Sequence, residues 1–292
     1  MKTRLLSLTL LAALSGSGAV FAAPAGTAAT TTAVAASQSA PDPAIEIKQL
    51  AQLFRAGDLS GLAQALTPRS RWEAARASFE AQRHKPTSAE DRARFAEKLQ
   101  RLTAPDAVDQ MMAKLEPEMA KARPQLPGMM LMGFGALSVA INSPETELTD
   151  EQRQALRSAM PAVQQWAATT DFLSVATARR ALTTLTDAVR QTGITDIDQL
   201  KALPLEGVLE RAGPLLTAAK DAARNYGLDL DAVADSLRVD VLERGQTTAR
   251  VRTTVTVFGA PVWAEHELVL VEGHWYGKHV QLELDDVTSL EG

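Results

Sequence analysis

The chain has 292 residues and a net charge of −5; 46% of it is hydrophobic, only 4% is aromatic, and it has no cysteine. That length can bury one large core or two modest ones, built from Ala, Leu and Val with no disulfide to help. The acidic balance argues against a nucleic-acid binder, which usually carries a basic surface.

The first residues read as an address. Lys2 and Arg4 precede the apolar stretch LLSLTLLAALSGSGAVFA, and Val20 and Ala22 stand where a signal peptidase takes small residues. The pattern predicts a secretory signal over 1–22, cleaved after Ala22, with an uncleaved anchor as the rival. Without cysteine there is no lipobox, so the expected location is periplasmic or secreted. Residues 23–41, APAGTAATTTAVAASQSAP, are almost uncharged and lack large apolar side chains, which predicts a flexible tether.

A helical body is predicted over 42–235. Asp42-Pro43 opens a helix with Ile47, Leu50 and Phe54 on one face, ending at Gly57; Asp58 starts a short second helix that ends at Pro68. Trp72 and Phe79 mark a third helix, studded with arginines. Ser88 to Asp91 and Thr149 to Gln152 have capping-box spacing. Val108, Met111, Met112, Leu115 and Met119 form one stripe; Val175, Ala178, Leu182, Leu185 and Val189 form another, ended by Gly193. A final pair of helices, broken at Pro204 and Pro214, runs to Gly227.

One segment departs from amphipathic patterning. Between Pro124 and Pro144 there is no charged residue, and MMLMGFGALSVAI is apolar on every side. It is shorter than the roughly 20 residues of a membrane span, so a buried central helix is expected. The alternative is a lipid-contacting or partner-contacting segment from Met129 to Ile141.

From 236 to 292 the apolar period falls to two. Four strands follow: one with Val239 and Val241, one from Ala249 to Val257, one from Trp263 to Leu270, and a return from Trp275 to Val280. Turns are expected at Arg244-Gly245, at Gly259-Ala260-Pro261 and at Glu272-Gly273-His274. Short turns make neighbours, so the sheet is an antiparallel meander packed on the helices. The fold class is α+β: a mainly helical body with a C-terminal four-stranded antiparallel sheet.

Two phrases, LFRAGDLSGLAQALTP near the start and LVLVEGHWYGKHV near the end, resemble exported bacterial proteins of the nuclear-transport-factor-two-like (cystatin-like α+β) group. The likeness covers residues 44–68 and 236–282, and the long helical stretch between departs from the compact family pattern. It implies a domain that binds small molecules in a cone between helices and sheet, acts as an enzyme, or dimerises. Fold alone does not choose among these.

The candidate chemistry is sparse. His266 shares the expected inward face with Ala264 and Leu268, where a histidine with an acidic partner could be a general base. Arg250, Arg252, Glu265 and Glu267 can face one another across two strands as a salt-bridged surface, or hold an anion or peptide against Trp263. Trp275 and Tyr276 are candidate ligand or partner contacts, and His274 reads as a turn residue. His274 and His279 lack a third ligand, so neither a metal nor any other cofactor is expected. No nucleophile elbow, phosphate loop or dinucleotide fingerprint is present. The leading expectation is a soluble exported protein without catalysis, binding a protein or a small apolar ligand, with a homodimer as one arrangement. The others are an enzyme with a pocket near His266 and a membrane-associated protein acting through Met129 to Ile141.

Overall fold

A computed structural model describes residues 40–278, except 147 and 149. The signal and all of the tether but its last two residues lie outside the described residues, as do His279, Val280 and Thr149 of the second capping box. The helices are α1 (Pro43–Ala56), α2 (Leu59–Ala65), α3 (Arg69–Arg83), α4 (Ala89–Thr103), α5 (Ala107–Ala122), α6 (Leu126–Asn142), α7 (Asp150–Thr169), α8 (Val175–Gln191), α9 (Ile197–Ala202), α10 (Leu205–Arg224) and α11 (Leu230–Asp235). The strands are β1 (Arg238–Arg244), β2 (Thr248–Val257), β3 (Ala260–Val271) and β4 (His274–Gly277), joined in that order in one antiparallel sheet. The α+β architecture therefore stands as expected.

Capping residues set the helix starts. The side chains of Asp42, Asp58, Ser88, Ser174, Asp196 and Asp229 each accept from a backbone N–H of the turn they open. Gly57 ends α1 at φ 70° and lies against α10, where a Cβ would come within 2.5 Å of Thr217 Oγ1. Pro214 does not break a helix as expected: it sits inside α10, next to Gly213, which a Cβ would bring within 2.9 Å of Gly57 O. Close packing against the α1–α2 turn carries α10 through its missing N–H.

Three apolar clusters form the core. Ala249, Val251, Leu268 and Trp275 of the sheet pack with Ile47 of α1 and Ala40. Met112 and Met119 of α5 pack on Ala178 of α8. Ala155 and Ala159 of α7 cover Val262, with Val255 and Val257, at the other end of the same sheet face. Two turns use positive φ at both central residues, as right-twisted hairpins require: Phe258 (51°) with Gly259 (81°), and Glu272 (52°) with Gly273 (87°). Ala260 and Pro261 belong to β3, so the second turn falls one to two residues earlier than expected.

The uncharged segment is a helix but not a buried one. In α6, Met129, Leu131, Met132, Leu137 and Val139 are 41–76% exposed, and only Ile141 is buried. The α5–α8 core is closed by its own methionines, and α6 packs along α7, where Arg153 donates to the carbonyls of Ile141 (2.7 Å) and Ser143 (2.6 Å). Composition gives the helix, and among the described residues only α7 packs along it.

Candidate functional site

Strand alternation places His266 on the sheet face that packs against α1 and α7, beside Thr253 and opposite Val251. The His266 Nε2 lies 2.9 Å from Thr253 Oγ1. Burial depresses the imidazole below its ordinary value of 6.5, because the charged ring loses water there. The general-base reading asks for a carboxylate next to the ring; the hydrogen-bond partner found is a threonine hydroxyl. His266 thus resembles a satisfied core histidine.

The opposite face carries Arg250, Arg252, Trp263, Glu265 and Glu267. Glu265, 17% exposed, receives Arg250 at 3.1 Å and Arg252 at 2.6 Å, while Arg250 also pairs with Glu243. The Arg252 guanidinium stacks over the Trp263 ring at 4.9 Å. Glu267 turns away to Lys278 at 2.5 Å. The guanidinium of Arg250 sits higher than the ordinary arginine value chiefly because Glu243 binds it. Both arginines are committed to carboxylates, so an external anion must compete with Glu265.

Trp275 and Tyr276, candidate contacts in the sequence, are 7% and 8% exposed. Trp275 joins the sheet core and its Nε1–H donates to Pro41 O at 2.7 Å. Beside it, Glu46 accepts the Trp275 backbone N–H at 2.7 Å and meets His274 Nδ1 at 2.7 Å. Arg244 adds a bond to Ala40 O at 2.5 Å. Residues 40 and 41, assigned to the tether, are therefore fastened to the sheet.

Two clefts open elsewhere. One of about 380 Å³ lies between α4 and α9 and is lined by Arg83, Arg92, Asp198 and Lys201. Three of its cations are already engaged: Arg92 with Asp198 at 2.8 Å, Arg83 with the carbonyls of Lys201 and Ala202, and Lys201 with Thr87 Oγ1 at 2.8 Å. A smaller one of about 180 Å³ lies beside Arg55 and Asp235, themselves an ion pair at 2.7 Å. Neither cleft reaches His266. No group of three metal-ligating side chains occurs among the described residues.

Among the described residues, the surface of α6 gathers the most exposed large apolar side chains. Five large apolar side chains stand out on a helix that has no charged residue. No single described helix is long and apolar enough to cross a membrane; α5 and α6 reach that length and composition only as a pair bent by 74°. The chain matches no family model, no curated protein and no solved structure.

Proposed function

We propose that the chain is an exported, non-catalytic interaction protein whose working surface is α6. The observation that carries this reading is the exposure of Met129, Leu131, Met132, Leu137 and Val139 together on one uncharged helix. Soluble monomers rarely leave so large a contiguous apolar patch in water, and such patches mark contact sites. Export rests on the N-terminal pattern of Lys2, Arg4 and the apolar run to Ala22. The likeness to the nuclear-transport-factor-two-like group belongs to the same proposal, supported by α1 lying across the apolar sheet face through Ile47. The surroundings of His266, apolar residues and a threonine, favour binding over catalysis.

The test is the double substitution Leu131→Glu and Val139→Glu. Exposed positions tolerate charge, so the melting temperature stays within a degree or two, while retention on a phenyl-substituted matrix falls sharply. A collapse in stability would mean that both residues are core. Unchanged retention would mean that α6 is not the adhesive surface. Either result overturns the reading.

A further inference from the structure

The pattern of side chains along α6 identifies its occupant. Gly128, Met132, Gly135 and Val139 are spaced four, three and four residues apart, which places them in one seam along a helix. All four are exposed, Met132 by 71% and Val139 by 70%. The seam therefore alternates small and large residues.

Glycine within a helix costs up to about 1 kcal/mol relative to alanine. Nothing among the described residues requires it here, since a Cβ built on Gly128, Gly133 or Gly135 meets no atom within 4 Å. Fluid lipid tails have no need of such gaps, and the charges bordering the helix are mixed rather than basic, with Lys121 paired to Glu118 at 2.6 Å. A second helix does need them, because a missing side chain lets a backbone or a large residue approach.

We propose that α6 pairs antiparallel with α6 of a second copy of this chain, about a two-fold axis between residues 133 and 134. In that register Met132 faces Gly135 of the other copy, and Val139 faces its Gly128. Each large residue fills the place of a missing one, and the relation is reciprocal, as a two-fold interface demands. A parallel pairing sets Met132 on Met132 and glycine on glycine, which crowds one level and leaves the next empty. The helix is about 25 Å long and 10–12 Å across, so half its side from each of two copies amounts to roughly 900 Å². That exceeds typical lattice contacts of below about 800 Å² and falls short of the roughly 1,200 Å² of standard interfaces. The dimer is accordingly a weak one that dissociates on dilution.

This inference rests on α6 being the working surface, and its test fails separately from that reading. Sedimentation velocity of the purified chain across about a hundredfold range of concentration should show a monomer passing into a dimer. Gly135→Leu should hold the chain monomeric while raising its melting temperature, because the helix gains and no neighbour is struck. The double variant Met132→Gly with Gly135→Met exchanges knob and hole, still opposite each other, and should restore the dimer. A wild-type monomer throughout, a dimer indifferent to Gly135→Leu, or no recovery in the exchanged variant overturns the proposal. Stability of the Leu131→Glu, Val139→Glu chain is untouched by any of those outcomes.

Discussion

Lys220 and Asp231 form an ion pair at 2.7 Å in which the lysine side chain is only 2% exposed. The same ammonium donates to Phe54 O at 3.0 Å, which also accepts the Gly57 N–H, and to Arg55 O at 2.7 Å at the end of α1, and it lies 5.2 Å from the Phe54 ring. All three donors are thereby used, which is how a charge is kept inside a core. Lys220 joins α1, α10 and α11 at one point. Lys220→Met keeps most of the volume but takes the donor from Arg55 O and the buried partner from Asp231, and should lower the unfolding free energy by about 2–4 kcal/mol. Lys121→Met, at an exposed pair, should change it by about 0.5 kcal/mol or less. Urea denaturation of the two variants decides the point, and equal losses would refute a capping role.

Glu46 holds the last hairpin to the first helix. Its carboxylate, 16% exposed in the first turn of α1, accepts the Trp275 N–H and bonds His274. The positive end of the helix dipole favours a carboxylate there. Glu46→Ala leaves the Trp275 amide without this partner, so local opening of β4 should become easier by about 1.5–3 kcal/mol. Amide exchange at Trp275 is then faster by about tenfold to a hundredfold, with exchange in α8 unchanged. A uniform acceleration through the chain would instead mean that Glu46 acts on global stability.

Local signals in the sequence marked most of the elements, though neither α11 nor the continuity of α10 through Pro214, and they did not give the surroundings. Asp42-Pro43, Gly57 and Ser88 announce helix ends through backbone chemistry confined to a few residues, and alternation from Val239 to Leu270 announces strands in the same way. The partners of charged side chains are not local. Lys220 meets carbonyls 165 and 166 residues away, Arg92 meets Asp198 across 106, and nothing near either residue marks it. Trp275 read as a candidate contact at a hairpin end; the docking of α1 through Ile47 and Glu46 covers it. The error at α6 has a different root. An all-apolar helix must be covered, but periodicity is silent on whether its own chain supplies the cover.

The arginine face of the sheet yields a prediction about competition. Arg250 and Arg252 both bind Glu265, and the pairs are open to solvent on the arginine side, 43% exposed. Each such pair contributes about 1 kcal/mol or less and weakens with salt. Replacing Arg252 by Ala should therefore cost little, and less again in high salt. Glu265→Ala should do more, because it leaves two adjacent guanidinium groups repelling each other beside Trp263. In that variant inorganic phosphate should raise the melting temperature, relative to an equal ionic strength of chloride, by more than the general salt effect it has on the wild type. An equal rise in both chains would mean that removing Glu265 frees no anion site here.

His266 makes a prediction about pH. Burial holds the folded imidazole below its ordinary 6.5, so an unfolded chain binds the proton more readily than the folded one. Above about pH 7 both states are neutral at this residue and it adds no pH dependence. As the pH falls through about 6.5, the unfolded state gains a proton first, and stability is lost until the folded ring also titrates. Unfolding free energy should thus decline as the pH falls from about 7 through 6.5, with a shallower decline in His266→Gln. The ring resonances should titrate with a midpoint below 6.5, and Thr253→Val should move that midpoint by removing the hydroxyl at 2.9 Å. A midpoint at or above the ordinary value would mean that the ring is hydrated or faces a carboxylate, the arrangement a general base requires.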